Sequence, residues 1–470
     1  MSTAAQEFLQ QAEIKASDLE HRALIQRGMA SYESAFDKGR ARFADWEAAR
    51  ARLSQIKEEA LASLGQNLVE FEKRIVERGG QVHWAETAEQ ANDYVVELAR
   101  ARGVKTVVKS KSMVTEEIHL APALEKAGVT VWETDLGEFI VQLRQERPYH
   151  IVTPAMHLSR YQIAELFREK LGENVEDADP AKLVAAARVA LRKAFFSAEM
   201  GISGANFLVA DTGMVALSTN EGNGRLTTSI PPIHVVVTGI EKVIPRLSDL
   251  AVFWPMLATS GTGQPITTYS TLVRGPRTKK ENDGPREFHV VLVDNGRTGL
   301  LGNAETQEVL KCIRCGACLN ICPIFRHVGG HTYGAIYPGP IGSIFTPRTA
   351  GLREWGHLSY ACSLCNACKG VCPVKIDLPK QLLLARRDFV ATANVKPAER
   401  AGFAGFRWAT ASARRFRWIG WLGGKVASTV RSIGLSGTSF DPTRAWTKYR
   451  APIEFPRQTF RAWWRSNGKR

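Results

Sequence analysis

From Leu19 to Val76 the chain is rich in Ala, Glu, Lys, Arg and Leu, with no proline and few glycines. That pattern predicts helix across residues 1–75. From about Gly80 the pattern changes. Short β-branched and aromatic runs appear at Val82-His83-Trp84, Thr106-Val107-Val108, Val129-Thr130-Val131-Trp132 and His150-Ile151-Val152. Helical stretches such as Thr87–Arg102 and Ser159–Leu171 separate them. Strands alternating with helices predict a parallel sheet with crossover helices. A long helix is expected over Ala181–Met200, then β-rich runs at Phe207–Ala210, Met214–Ser218, His234–Thr238 and Phe288–Val293. Asn220–Arg225 is expected to be a Gly/Asn-rich loop, and Asp294-Asn295-Gly296 a turn closing the α/β region.

Four segments follow from this reading: a helical 1–75, an α/β domain over 76–296, a cysteine-bearing 297–385, and a tail over 386–470. The 470 residues suit two or three domains. The net charge of +15 belongs to the tail, where residues 381–470 hold 18 Lys/Arg against 4 Asp/Glu. The same tail carries six of the eleven tryptophans. No basic-then-apolar leader opens the chain, and no apolar run approaches the ~18 residues of a spanning helix. A cytoplasmic location is the expectation, and clustered cysteines there read as metal ligands rather than disulfides.

All eight cysteines fall in two repeats, Cys312-x2-Cys315-x2-Cys318-x3-Cys322-Pro323 and Cys362-x2-Cys365-x2-Cys368-x3-Cys372-Pro373. This is the bacterial ferredoxin spacing, twice. Three thiolates at two-residue gaps wrap three corners of a cubane from one loop. The fourth, before proline, turns away and ligates the other cluster. Two [4Fe–4S] clusters are therefore expected, one on Cys312, Cys315, Cys318 and Cys372, the other on Cys362, Cys365, Cys368 and Cys322. Paired zinc knuckles are the alternative, but three cysteines at x2-x2 followed by x3-Cys-Pro is poor zinc spacing. The small neighbours Gly316, Ala317, Ala367 and Gly370 let backbone amides approach cluster sulfurs. His327, His331 and His357 are expected to pack or hydrogen-bond rather than ligate, because no cysteine is missing. No G-x-G-x-x-G follows a strand, so no dinucleotide fingerprint is present.

With these motifs in place, the run His327–Gly342 (HVGGHTYGAIYPGPIG), the run Gly201–Gly213 (GISGANFLVADTG) and the run Thr219–Arg225 (TNEGNGR) resemble the lactate-utilisation iron–sulfur protein B family over nearly the whole chain. The resemblance implies an N-terminal LUD domain, similar to the sugar-phosphate isomerase and CoA-transferase-like fold, followed by a mostly helical ferredoxin-like two-cluster domain. It implies an electron-transfer subunit of a bacterial system that oxidises L-lactate to pyruvate, with the other subunits as partners. A different hydroxy-acid or disulfide oxidoreductase is the alternative client. An enzyme in its own right, with the LUD domain binding an acid, phosphate or CoA-like ligand, is a third reading.

Two stretches are candidates for such a ligand. Lys109 and Lys111 precede a helix expected from Met113, with Ser112 as its N-cap, where their charge would favour an anion. Glu221, Asn223 and Arg225 lie in a Gly-rich loop loosely like the Glu-Asn-Gly of CoA-transferases, one inserted glycine apart. The tail combines Phe403, Phe406, Trp408, Phe416, Trp418 and Trp421 with arginines, and Trp446, Trp463 and Trp464 repeat the mixture. With no clean helical period, it reads as a docking arm for a partner subunit. A patch on the inner face of the membrane is the alternative, and no nucleic-acid partner is expected.

Overall fold

The computed structural model describes residues 2–173, 175, 177–392, 397–432, 444, 450–451 and 460–468. Residues up to 393 form one compact unit, and those from 394 a second.

The N-terminal helical stretch is four helices, Thr3–Ser17, Leu19–Arg40, Trp46–Ala62 and Leu64–Val76. Aspartates break the run. Asp18 accepts from the His21 N–H and Asp45 from the Ala48 N–H, so each side chain caps a new first turn. Burial then decides what these helices do. The second and third pack on the helix Leu250–Thr262, and the first packs on Pro323–Val328. They hold the cysteine segment against the α/β core.

Among the described residues the core contains ten strands: β1 (Gln81–Ala85), β2 (Thr106–Lys109), β3 (Thr130–Glu133), β4 (Met200–Ser203), β5 (Phe207–Val209), β6 (Met214–Thr219), β7 (Ile233–Gly239), β8 (Val243–Ile244), β9 (Tyr269–Val273) and β10 (Glu287–Val293). Six form a wholly parallel sheet in the order β1-β10-β7-β4-β2-β3. Its central strand β7 is buried at every position, which explains a near-continuous apolar run instead of alternation. Crossover helices cover it. Thr87 caps Ala88–Ala101, and Ser159 and Gln162 form a capping box on Arg160–Leu171. The other four strands make a second, mixed sheet, β8-β5-β6-β9, that local pattern did not separate from the first.

Three expectations need correction. His150-Ile151-Val152 is a bend, not a strand. The His150 ring accepts from the Val152 and Thr153 N–H groups, and this local bonding replaces a sheet ladder. The long helix runs Pro180–Ser197, because Met200 is already paired in β4. The loop expected over Asn220–Arg225 turns into helix at Asn223, which begins Asn223–Ser229.

The second unit contains helices Pro397–Thr410, Ala413–Ser432 and Phe460–Asn467, where the sequence showed no clean period. Arg415 stacks over Trp408 at 4.9 Å and Arg461 over Phe416 at 5.7 Å, cation–π contacts that link the helices. Phe403, Phe406, Trp418 and Trp421 are exposed. Trp446 lies outside the described residues. No helix of the described residues is long and apolar enough to cross a membrane.

Candidate functional site

The two cysteine loops share one backbone design. In each, the residue before the second cysteine is left-handed, Arg314 at φ 60° and Leu364 at φ 56°. So is the residue after it, Gly316 at φ 79° and Asn366 at φ 64°. Left-handed residues set among right-handed ones turn successive N–H groups inward and make a concavity for an anion. The Arg314 N–H reaches Cys312 Sγ at 3.4 Å, and the Leu364 N–H reaches Cys362 Sγ at 3.3 Å. The Ile376 N–H reaches Cys372 Sγ at 3.4 Å. Glycine is needed at position 316 for a second reason. A Cβ there would sit 2.9 Å from Val152 Cγ2 and 3.2 Å from His150 Cε1, the bend that shelves the first loop.

Packing brings the repeats together through their short helices, Ala317–Asn320 and Ala367–Val371. Cys312, Cys315, Cys318 and Cys372 line one small cavity. Cys322 feels the charges of Cys362 and Cys365, and Cys368 feels those of all three. Each repeat thus sends its last cysteine to the other's first three. Cys365 is exposed, whereas Cys315, Cys322, Cys368 and Cys372 are buried. Arg50, from the third N-terminal helix, donates to the Cys372 carbonyl at 2.9 Å and to the Lys369 carbonyl at 3.0 Å.

The donor set fits iron–sulfur clusters. All eight thiols are free. Burial, helped by neighbouring thiols, pushes Cys322 up to about 11 and Cys368 up to about 12, and raises Cys318 further. Such thiols become thiolates only against a cation, so loading releases protons. The surroundings of Cys312 are the second sign. Lys57, Lys242 and Arg314 are buried and all feel its charge. Burial holds Lys57 and Lys242 down at about 8 despite Glu241. A net-anionic four-thiolate cluster would relieve that excess of buried cations.

A larger cleft of about 400 Å³ lies on the other side of the first loop. Ile151, Arg314 and Cys315 line both it and the four-cysteine cavity. Of the residues singled out by sequence, Lys111, Glu221 and Asn223 line this cleft. Lys111 donates to the Val152 carbonyl at 2.7 Å. Glu221 accepts from the Leu136 N–H at 3.2 Å, and burial, with Asp135 beside it, raises its carboxyl to about 7. Lys109 does not reach the cleft. It is fully buried, with its ammonium on Glu133 at 2.6 Å and Glu116 at 2.9 Å. Ser112 caps the next helix as expected, but that helix is only Met113–Glu117. Arg225 lies over the Tyr269 ring at 5.5 Å.

The three inter-repeat histidines bond backbone carbonyls: His327 that of Pro323, His331 that of Arg147 and His357 that of Glu354. Sequence reasoning missed Arg314, Lys242 and Glu241. For Arg314 a signal existed, since the matching position in the second repeat is Leu364. Lys242 and Glu241 carry none, because their burial comes from long-range packing.

Two family models match the chain, a LUD domain over residues 68–293 and a 4Fe-4S dicluster domain over 308–376. "Lactate utilization protein B" of Geobacillus thermodenitrificans is 43% identical, over 90% of this chain and 89% of its own. The protein of the same name from Oceanobacillus iheyensis is 42% identical, over 95% and 94%. "Uncharacterized electron transport protein YkgF" of Escherichia coli is 40% identical over 94% of each chain. A crystal structure of a DUF162 family protein from Deinococcus radiodurans aligns with 49% of this chain and 98% of its own, at 15% identity and a TM-score of 0.29.

Proposed function

The chain belongs to the lactate utilisation protein B family, and on that premise we propose that it carries electrons within a multi-protein system oxidising L-lactate to pyruvate. It is an electron-transfer iron–sulfur protein of that family. In this reading residues 76–296 are the LUD scaffold, 297–385 the cluster-bearing segment and 386–470 an arm, with 1–75 a helical brace. The observation that supports it is the pairing of eight cysteines into two neighbouring quartets, the first buried or half-buried beside excess cations and the second reaching the surface at Cys365.

Cys312, Cys315, Cys318 and Cys372 would hold one [4Fe–4S] cluster, and Cys362, Cys365, Cys368 and Cys322 the other. Bound there, such clusters supply one-electron transfer. The chain's residues do the rest. Inward N–H groups from Arg314, Leu364 and Ile376 stabilise thiolate charge. Apolar Ile313, Ile341 and Val374 close the first site to water. Lys57 and Lys242 place positive charge where reduction adds negative.

The test is lactate-dependent bleaching of the visible absorption under anaerobic conditions. Lactate should bleach the protein only when its partner subunits are present. Bleaching of the pure single chain would refute the carrier role.

The arm is the proposed docking element, through its exposed Phe403, Phe406, Trp418 and Trp421 and adjoining arginines. A protein lacking 402–470 should keep its iron and lose co-purification with its partners. Unchanged co-purification would discard the docking role. Loss only of flotation with anionic liposomes would instead assign the arm to a membrane surface. The proposed location is the cytoplasm.

A further inference from the structure

We propose that the cleft beside the first cysteine loop binds an organic molecule through an oxyanion, carboxylate or phosphate, held by Lys242 and Arg314 against the far side of the loop that carries Cys312 and Cys315. The inference rests on the electron-carrier reading for what lies behind that loop, but not for the binding itself.

Three kinds of observation converge. The first is room. About 400 Å³ falls within the ~300–1,000 Å³ of small-molecule sites, and it exceeds what a three-carbon acid alone would fill. The second is unanswered donors. Arg314 sits in the corner between two edge-to-face rings, Tyr337 at 4.4 Å and Phe345 at 4.3 Å, and its Nη1 is buried without a hydrogen-bond partner. The Ser218 hydroxyl is buried and equally unpartnered. Lys242 makes no hydrogen bond or ion pair among the described residues, although Glu241 is near. All three line the cleft. The Arg314 Nη1 and the Ser218 hydroxyl, buried without acceptors, carry a desolvation cost that a bound oxyanion removes, and Lys242 adds its charge beside them.

The third is position. Arg314 and Cys315 form the partition between cleft and four-cysteine cavity. An oxyanion on Arg314 therefore adds negative charge one side chain from the first cluster site. Its expected effect is to make that site harder to reduce, while the second site, whose cysteines do not line the cleft, stays unchanged. Asp135 and Glu221 also line the cleft. They oppose a second anion near them and suit hydroxyl or amide donors on the ligand's body.

The experiment is calorimetric titration of the full, iron-loaded chain with L-lactate, pyruvate, inorganic phosphate and adenosine monophosphate, alongside a redox titration followed by electron paramagnetic resonance. Saturable binding of at least one organic probe, with a lower potential for one of the two cluster signals, supports the proposal. Response to lactate or pyruvate but not to adenosine monophosphate assigns the oxyanion as carboxylate, and the reverse as phosphate. Lys242→Met should weaken binding about tenfold, and Ser218→Ala about threefold. Ser218→Ala removes a hydroxyl with no partner, so it should fold even if Lys242→Met does not. No saturable binding by any organic probe overturns the proposal. So does binding that Ser218→Ala leaves intact, or binding that moves both cluster signals equally. Iron content and partner-dependent bleaching on the same samples report separately on the electron-carrier reading.

Discussion

A Cys372→Ala protein retains about four of about eight irons and loses the resonance of the first cluster only. Cys372 lies in the second repeat, yet its side chain lines the cavity of Cys312, Cys315 and Cys318. The complementary variant, Cys322→Ala, removes the other signal, because Cys322 faces Cys362 and Cys365. The pairing is read by matching variants. Cys372→Ala and Cys315→Ala should abolish the same signal, and Cys322→Ala and Cys365→Ala the other. If Cys372→Ala instead matched Cys365→Ala, each repeat would hold its own cluster and the crossed assignment would fall. About two zincs with no visible absorption would remove the iron–sulfur reading altogether.

Arg297→Ala lowers stability by about 3–5 kcal/mol, the cost of leaving buried carboxylates without their counter-ion. Arg297 is fully buried. Its Nε donates to Glu241 at 2.5 Å, its Nη1 and Nη2 to Glu117 at 2.9 and 2.8 Å, and its guanidinium lies 5.3 Å from the Phe345 ring centroid. Tyr337 adds a hydroxyl to Glu117 at 2.7 Å. Burial works against ionised Glu241, but Arg297, Lys242 and Arg314 together outweigh it and hold that carboxyl down at about 2. These residues join the end of the parallel sheet to the start of the cysteine segment, so iron retention should fall with stability. Arg387, half-exposed and paired with Glu305 at 2.7 Å, is the control. Its alanine variant should change little, because water already screens the pair. A denaturation midpoint for Arg297→Ala equal to that of Arg387→Ala would show that the buried network is not what couples the two regions.

What the sequence determined by itself was local. Cysteine spacing needs only a loop's reach, and it announced two cubane sites before any fold was known. Thr87, Ser112 and Ser159 marked helix starts because a cap acts within three residues. The β-rich run His234–Thr238 announced a strand, which the structure extends to Ile233–Gly239 and buries at every position. Tertiary structure decided the rest. Lys109 and Lys111 stand two residues apart, a spacing that shares one face of a strand, but β2 ends at Lys109, and the turn beyond it leaves one ammonium under Glu133 and takes the other to the cleft. His150-Ile151-Val152 has strand composition, but its ring bonds its own backbone and it becomes the shelf under Gly316. The cleft needs Arg314, Ser218 and Lys242 together, residues from the first cysteine loop, from β6 and from the turn after β7. Period, capping and ligand spacing are short-range physics, carried by neighbours along the chain. Which charges are buried, and which of them lack a partner, depends on contacts between residues far apart in sequence, and only packing brings those about.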